Sequence, residues 1–229
     1  MRALFFMVVL NLVGNCFAGN TSDISRGGLL YDRWYEVVDV KKPDFTHPGW
    51  PASNTNKHGS TTHRCKSCHG WDYKGRDGAY RSGSYKTGIP GIQAFSGGDK
   101  REVLDILTNE LHGMERYLPA TDLDDLALFI VDGQFDFSKF IDVETNLVIS
   151  GDSRAGSEYY DTVCAKCHGV DGDLIKDMTP VGIIAHKNPW EVMHKIINGQ
   201  PGEKMPSMRA FGMTVVMDIM AYVQTLKNN

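Results

Sequence analysis

The sequence predicts an all-α protein built from two tandem domains. A pentapeptide of the form Cys-X-X-Cys-His occurs at Cys65–His69 and again at Cys164–His168, which marks an internal repeat. Apolar residues also recur at three- and four-residue steps in the C-terminal part of the chain, as one buried helix face requires. With about 210 residues after a predicted leader, one or two domains are possible, and the repeat favours two.

Each pentapeptide carries what covalent attachment of haem c requires. Two thiols one short turn apart form thioethers with the haem vinyl groups, and the His that follows binds the iron. A redox dithiol or half of a zinc site requires neither that His nor the glycines that follow it, Gly70 and Gly169. A four-cysteine zinc site is the main alternative, but its pairs would lie 99 residues apart, far beyond the usual zinc-ribbon spacing.

The sequence therefore predicts two covalently attached haem c groups. The predicted attachment residues are Cys65, Cys68, Cys164 and Cys167, and the predicted proximal iron ligands are His69 and His168.

The N-terminus has the pattern of a signal peptide. Arg2 gives a minimal charged segment, Ala3–Val13 is almost wholly apolar, and Ala18 is a small residue where a signal peptidase would cleave. Cleavage after about Ala18 and export to the periplasm are therefore expected.

Two membrane-anchored alternatives fit this segment less well. A spanning helix needs about 20 apolar residues, and Asn11 and Asn15 interrupt the apolar run. A lipid anchor on Cys16 would have Asn15 where a small residue is expected. No later segment is apolar enough to span a membrane.

Cysteine count and charge restrict the mature protein further. Of five cysteines, Cys16 leaves with the signal peptide and the other four belong to the motifs, so no disulfide is expected. The net charge of −4 becomes −5 without Arg2. A chain of that balance is not expected to bind nucleic acid.

Around the second motif the sequence resembles a class I cytochrome c domain. The resemblance covers Gly151 to Asn229. It is carried by Gly156, Tyr160, Cys164–Gly169, Pro180, Gly199, Met205-Pro206 and Ala221–Val223. It implies the small all-α fold of that family, with its N- and C-terminal helices crossing near Gly156, Tyr160 and Tyr222. Helical periodicity at Trp190–Ile197 and from Val215 to Leu226 supports this expectation.

A loop of the second repeat offers the predicted sixth ligand of its haem. Met205 follows the Gly-rich stretch Asn198–Lys204 and precedes a proline, so packing in a helical core is not expected. A thioether on such a loop can reach the distal face of the haem. Met208 is the alternative. The resemblance also implies that the Pro180 carbonyl accepts a hydrogen bond from His168 and fixes its ring.

The two repeats can be aligned through the residues after each motif. The offset between them is 99 residues at the Cys pairs, 89 at Glu102 and 93 at Phe129. The drop of ten residues places an insertion in the first repeat, within Trp71–Asp99. That stretch is rich in Gly, Tyr and Ser and predicts an ordered loop around the haem. An offset of 93 aligns Asp125 with Asp218.

The same offset sets His112 opposite Met205. His112 is therefore the predicted sixth ligand of the first haem, which would make that haem bis-His. Met114, two residues away, is the alternative, and a His from the N-terminal arm or an open position also remain. In a purely structural interpretation, His112 caps a helix that ends near Glu110, where an imidazole favours the helix dipole.

Other histidines and aromatics are given simpler roles. The remaining histidines are predicted to be surface or hydrogen-bonded residues: His47, His58, His63, His186 and His194. The aromatics of the insertion are predicted to be buried against the porphyrin: Trp71, Tyr73, Tyr80 and Tyr85.

The predicted organisation is a signal peptide at 1–18, an arm at 19–56, a first domain at 57–133, a linker at 134–150 and a second domain at 151–229. The arm contains a predicted helix at Leu29–Val40 and is interpreted as packing over the first domain or between the two. The linker contains Phe135, Phe137, Phe140 and Ile141, which predicts that it packs down and holds the haems at a fixed separation.

The expected function is that of an exported dihaem cytochrome c passing electrons between redox proteins. A bis-His haem has a lower potential than a His/Met haem, so electrons would run from the first to the second. One alternative is a dihaem oxidoreductase with one catalytic haem, as in peroxidases or thiosulfate dehydrogenases; another is an electron-transfer subunit of a larger complex. The enzyme is less favoured, because each iron has a candidate strong ligand and no spare Cys remains.

Overall fold

The protein is described by a computed structural model that covers residues 18–227. Residues 1–17 of the predicted signal peptide lie outside this range. Over the range, helices are joined by loops and no strand forms, although two isolated bridges pair Gly75 with Pro90 and Ile141 with Val148. None of the helices in residues 18–227 has both the length and the apolar character needed to cross a bilayer.

Each half of the chain forms its own set of α-helices. The first half contains α1 (Ala18–Val37), α2 (Cys65–His69), α3 (Lys100–Leu107) and α4 (Ala120–Leu128). The second half contains α5 (Ser153–Tyr159), α6 (Ala165–His168), α7 (Val181–Lys187), α8 (Pro189–Asn198) and α9 (Gly212–Val223). Helices α4 and α5 each continue into a π-helical turn, at Phe129–Gly133 and Tyr160–Cys164.

Short 3₁₀ turns lie between these helices. They are found at Gly59–His63, Ala79–Arg81, Gln93–Phe95, Met114–Arg116, Phe137–Lys139 and Arg209–Phe211. The periodic segments of the second half form helices as expected, but α9 ends at Val223 rather than Leu226. Leu226 follows in a turn, where its amide donates to the Val223 carbonyl at 3.2 Å.

The same helix crossing occurs in both halves. A Cβ on Gly156 of α5 would lie 1.9 Å from the Asp218 carbonyl oxygen of α9, so only glycine permits that approach. A Cβ on Gly27 of α1 would lie 2.1 Å from the Asp125 carbonyl oxygen of α4. The alignment of Asp125 with Asp218 is thus confirmed. Helix α1 packs against α4 in the same way as α5 packs against α9.

The structure corrects the predicted N-terminal helix. The segment expected at Leu29–Val40 is helical from Ala18 to Val37, with a break in helical geometry at Arg33. Gly27-Gly28 does not end the helix, because Gly27 lies against α4 and Gly28 lies against Asn198 of α8. The helical part of the arm therefore crosses α4 and belongs to the helical core of the first half, rather than covering that half from outside.

The two halves pack through α1 and α8. His194 on α8 is fully buried, and its Nε2 donates to the Gly28 carbonyl at 3.0 Å. Asp32 on α1 is also buried; it pairs with Lys195 of α8 at 2.7 Å and with Arg64. These polar contacts join residues from both halves in the protein interior.

The linker packs down, as its apolar residues predict. Phe137 is fully buried and Ile141 is 1% exposed, while Phe135 and Phe140 pack against the same core. The Gln224 side chain of the second half accepts a hydrogen bond from the Val148 amide at 3.0 Å and donates one to the Asn146 carbonyl at 2.8 Å. The segment is therefore fixed along its length rather than extended between domains.

Candidate haem sites

Both pentapeptides end in the same local conformation. The first forms α2 and the second ends with α6, and each helix stops at a glycine with positive φ: 86° at Gly70 and 79° at Gly169. Glycine adopts this left-handed conformation without the steric cost of a Cβ. The Gly that follows each His is therefore part of the local structure of the motif.

A tyrosine from the preceding helix fixes each motif. The Tyr31 hydroxyl donates to the Gly70 carbonyl at 2.6 Å, and the Tyr160 hydroxyl donates to the Gly169 carbonyl at 2.9 Å. Tyr31 and Tyr160 occupy equivalent positions, four residues after Gly27 and Gly156. The internal repeat therefore includes the tyrosine hydrogen bond that orients each motif.

Over the described residues, the four motif cysteines form no disulfide. Cys167 is exposed, and the other three are partly buried. Within residues 18–227 no three His, Cys, Asp or Glu side chains converge as metal ligands would. The two Cys pairs therefore do not form the four-cysteine zinc site considered as the alternative.

His69 is oriented by a hydrogen bond that the sequence analysis did not predict. Its Nδ1 lies 2.8 Å from the Pro90 carbonyl oxygen. A carbonyl can only accept, so Nδ1 carries the proton and Nε2 keeps a free lone pair for iron. Burial lowers the pKa of His69, and the bond to Pro90 opposes that shift. Pro90 lies 90 residues before Pro180, close to the local offset of 89, which is the signal that could have found it.

His112 lies opposite His69. The centroids of the two imidazole rings are 6.4 Å apart, and their planes differ by 21°. A ring nitrogen binds a metal at about 2.0–2.1 Å, so two imidazoles on opposite sides of one metal ion have ring centroids roughly 6–7 Å apart. The observed separation fits one iron between the rings.

The structure places Met114 in the core and His112 beside the end of α3. Met114 is 7% exposed and belongs to the hydrophobic core. Helix α3 ends at Leu107, and burial lowers the pKa of His112, while the Ile106 carbonyl in the last turn of α3 acts in the opposite direction. The imidazole therefore lies beside the end of α3, as the structural interpretation expects.

The second motif differs from the first at its histidine. The His168 Nδ1 is buried and has no hydrogen-bond partner in the described part of the chain. The expected acceptor, the Pro180 carbonyl, instead accepts from the Ile184 amide at 3.2 Å, because Pro180 precedes the first residue of α7. The predicted bond between His168 and Pro180 is therefore wrong for this structure.

Met205 lies on the loop between α8 and α9, as predicted. Its side chain is partly buried, and its carbonyl oxygen would be 2.7 Å from a Cβ on Gly199, whose φ is 96°. Met208 is 5% exposed within the core, and its amide donates to the Ile196 carbonyl at 2.9 Å. Of Met205 and Met208, the two methionines of this loop, Met205 is the one whose side chain lies outside the hydrophobic core.

Trp71 and Tyr73, in the insertion of the first half, contact the second half. The Tyr73 hydroxyl is 2.8 Å from the His194 Nδ1, and the Trp71 ring centroid is 5.1 Å from that of His194. His194 donates through Nε2 to a carbonyl, so its Nδ1 accepts from Tyr73 and the ring is neutral. No pattern in the sequence indicates this contact, because it joins residues 121 positions apart.

The buried charges beside this contact have displaced pKa values. Burial opposes ionisation of Asp32, but Lys195 and Arg64 outweigh it and hold the Asp32 pKa well below its usual range. Burial lowers the pKa of His194 to about 4, although Asp32 and the Gly28 carbonyl act in the opposite direction. The contact between the halves thus combines an ionised carboxylate with a neutral imidazole.

We expect the His194 pKa to make stability depend on pH. The unfolded chain protonates this imidazole near its ordinary pKa of about 6.5, while the folded chain resists protonation down to about 4. The contribution of His194 to the free energy of unfolding is therefore complete above pH of about 6.5 and falls by on the order of 3 kcal/mol as the pH drops to about 4. Urea titrations over this range measure it.

The variant His194→Gln serves as the control for that titration. It keeps a hydrogen-bonding side chain but has no imidazole to titrate, so the difference between wild type and variant isolates this residue from other histidines. Parallel curves for the two proteins between pH of about 6.5 and 4 would contradict the prediction.

The second half of the chain is similar to a known protein family. Residues 151–223 match the family described as cytochrome C oxidase, cbb3-type, subunit III. No curated protein matches the chain. The Kuenenia stuttgartiensis reducing HAO-like protein complex Kustc0457/Kustc0458 is a structural match with 15% identity and a TM-score of 0.30, covering 73% of this chain and 94% of that one.

The family match covers less than half of the chain and includes the second Cys-X-X-Cys-His motif and Met205. The all-α, cytochrome c-like fold predicted from the sequence is confirmed. The chain thus contains a c-type cytochrome domain, which implies covalently bound haem c and haem-based electron transfer.

Proposed function

We propose that this chain is an exported dihaem cytochrome c that transfers electrons between redox proteins in the periplasm. The observation that carries the proposal is the candidate ligand pair in the first half of the chain. The ring centroids of His69 and His112 are 6.4 Å apart, and His69 belongs to a Cys-X-X-Cys-His motif that lies outside the family match. When bound, each haem supplies a reversible Fe(III)/Fe(II) couple. The chain supplies attachment, ligands and a fixed separation.

In the first half, Cys65 and Cys68 would attach the haem, and His69 and His112 would bind its iron. The fixed tautomer of His69 leaves its Nε2 free, which supports its role as proximal ligand. The core position of Met114 favours His112 over Met114 as the sixth ligand.

In the second half, Cys164 and Cys167 would attach the haem, with His168 and Met205 as ligands. A thioether ligand favours ferrous iron and raises the potential relative to two imidazoles. Electrons would then pass from the first haem to the second. A redox titration that gave one shared potential, or the reverse order, would contradict this direction.

The contact between the halves supports a fixed arrangement of the two haems. Trp71 follows His69 by two residues and packs on His194 of α8, and α8 leads directly into the Met205 loop. Asp32, Lys195 and Arg64 hold the same surfaces together. We infer that the separation of the haems is set by packing rather than by a flexible linker.

Low-temperature EPR of the oxidised protein with a near-infrared spectrum tests the ligand sets. We expect two low-spin ferric signals and one sulfur-to-iron charge-transfer band in the wild type. The variant His112→Ala should lose one low-spin signal and keep the band, since only the bis-His haem is changed.

A high-spin signal in the wild type would instead indicate an open iron and would contradict a simple carrier. Peroxide and sulfur compounds would then be the substrates to test first. Loss of the near-infrared band in His112→Ala would contradict the assignment of the two ligand sets.

A further inference from the structure

We propose that Asn109 is a positioning residue that orients the His112 imidazole and thereby sets the reduction potential of the first haem. This inference rests on the proposed ligation of that haem by His112. It concerns a side chain three residues before His112, in the loop that follows α3.

Asn109 makes two hydrogen bonds to His112. Its Oδ1 accepts from the His112 backbone amide at 2.9 Å and lies 3.2 Å from the His112 Nδ1. The backbone amide can only donate, so the atom of Asn109 that faces it is the oxygen rather than the nitrogen. The imidazole must then donate from Nδ1, and in a neutral ring Nε2 is the nitrogen that carries the lone pair a metal requires.

The arrangement repeats the one at His69. There the acceptor for Nδ1 is the Pro90 carbonyl at 2.8 Å. Both rings that face each other are thus held by an oxygen at Nδ1, with Nε2 unprotonated on each. An acceptor at this position orients a metal-bound imidazole and makes it a stronger donor. The Pro90 acceptor belongs to the main chain, whereas Asn109 is a side chain that can be replaced.

Asn109 also fixes which residue of the loop reaches the site. Its carbonyl accepts from the Gly113 amide at 2.8 Å, and Gly113 has a φ of 53°. The loop is therefore closed from 109 to 113, and Met114 enters the core immediately afterwards. This geometry leaves His112 as the ligand donor of the segment.

A simpler role for Asn109 would be to close the loop without influencing the iron. The Ile106 carbonyl also interacts with the His112 ring and could orient it alone. The two roles predict different reduction potentials for the first haem when Asn109 is replaced. If Asn109 only closes the loop, a new side chain leaves the potential unchanged; if it bonds the His112 ring, a new acceptor changes the potential.

The experiment compares Asn109→Asp and Asn109→Ser in the haem-loaded protein by redox titration and EPR. Aspartate keeps both bonds and adds a negative charge at Nδ1, which stabilises ferric iron. We expect the midpoint potential of the first haem to fall while that of the second haem stays unchanged. Serine can still cap the His112 amide but is too short to hold the ring, so the midpoint should rise and the EPR g values should shift.

Thr108→Ala is the matched control, because Thr108 adjoins Asn109 and its hydroxyl donates to the Leu104 carbonyl at 2.9 Å. It should leave both potentials unchanged. Unchanged potentials and g values in both Asn109 variants would overturn the inference, as would equal shifts at both haems. If instead the first-haem signal survives in His112→Ala, the proposed ligation itself is wrong, so the two failures are distinguishable.

Discussion

Replacement of Asp32 by alanine should lower the free energy of unfolding by about 3 kcal/mol or more, since it leaves two partly buried cations without their counter-ion. The Asp32 side chain is 1% exposed, and those of Lys195 and Arg64 are 17% and 13% exposed. Lys195 belongs to the second half and Arg64 directly precedes the first motif. The loss should therefore loosen the contact between the halves as well as the segment that holds Cys65.

Denaturant titration followed by far-ultraviolet circular dichroism measures this loss. Asp44→Ala is the matched control, because the Asp44 pair with Lys41 has side chains 78% and 85% exposed, and exposed pairs contribute little. Asp32→Asn keeps the shape of the side chain and should fall between wild type and Asp32→Ala. An Asp32→Ala protein as stable as Asp44→Ala would show that this ion-pair cluster does not hold the halves together.

Replacement of Met205 by histidine should convert the second haem from His/Met to bis-His ligation. The midpoint potential of that haem should fall by on the order of 0.1–0.3 V, within the range of roughly 0.8 V that axial ligands span. The near-infrared charge-transfer band should vanish, and the two titration waves should move together. The driving force from the first haem to the second would then be largely lost.

Met208→Leu is the control for this change, since Met208 lies in the core and its replacement keeps an apolar side chain of similar size. It should keep the band and both potentials. Met205→Ala, which offers no new ligand, should give a high-spin signal. Survival of the band in Met205→His and Met205→Ala, with its loss in Met208→Leu, would assign the sixth ligand to Met208.

Local sequence patterns predicted the helices that repeat within each half. Trp190–Ile197 lies within α8, and the apolar steps from Val215 give most of α9. The offset of 93 also paired Asp125 with Asp218 correctly, because the segment from α4 onward has no insertion relative to its counterpart. Such relations depend on nearby residues and are visible in one sequence.

The role of α1 could not be predicted because an insertion separates it from its motif. Tyr160 lies four residues before Cys164, whereas Tyr31 lies 34 residues before Cys65. No single offset aligns both the tyrosines and the cysteines of the two halves, so the sequence alone predicts an arm at 19–56 rather than a helix of the first domain. The close approach of Gly27 to α4 becomes evident only when the two helices are seen together.

The hydrogen bonds that orient the candidate ligands were equally hidden. The Pro90 and Asn109 acceptors lie in loops, where no periodicity indicates which way a side chain or carbonyl points. The contact of Asp32 with Lys195 joins residues 163 positions apart. Patterns of residue type gave the candidate ligands, while their orientation depends on tertiary packing.

The intact mass of the purified, exported protein, with the masses of its haem peptides, tests the central claim most directly. We expect a chain that begins after about Ala18 and carries two haems, one on a peptide containing Cys65 and Cys68 and one on a peptide containing Cys164 and Cys167. A protein with a single haem, attached only at Cys164 and Cys167, would contradict it.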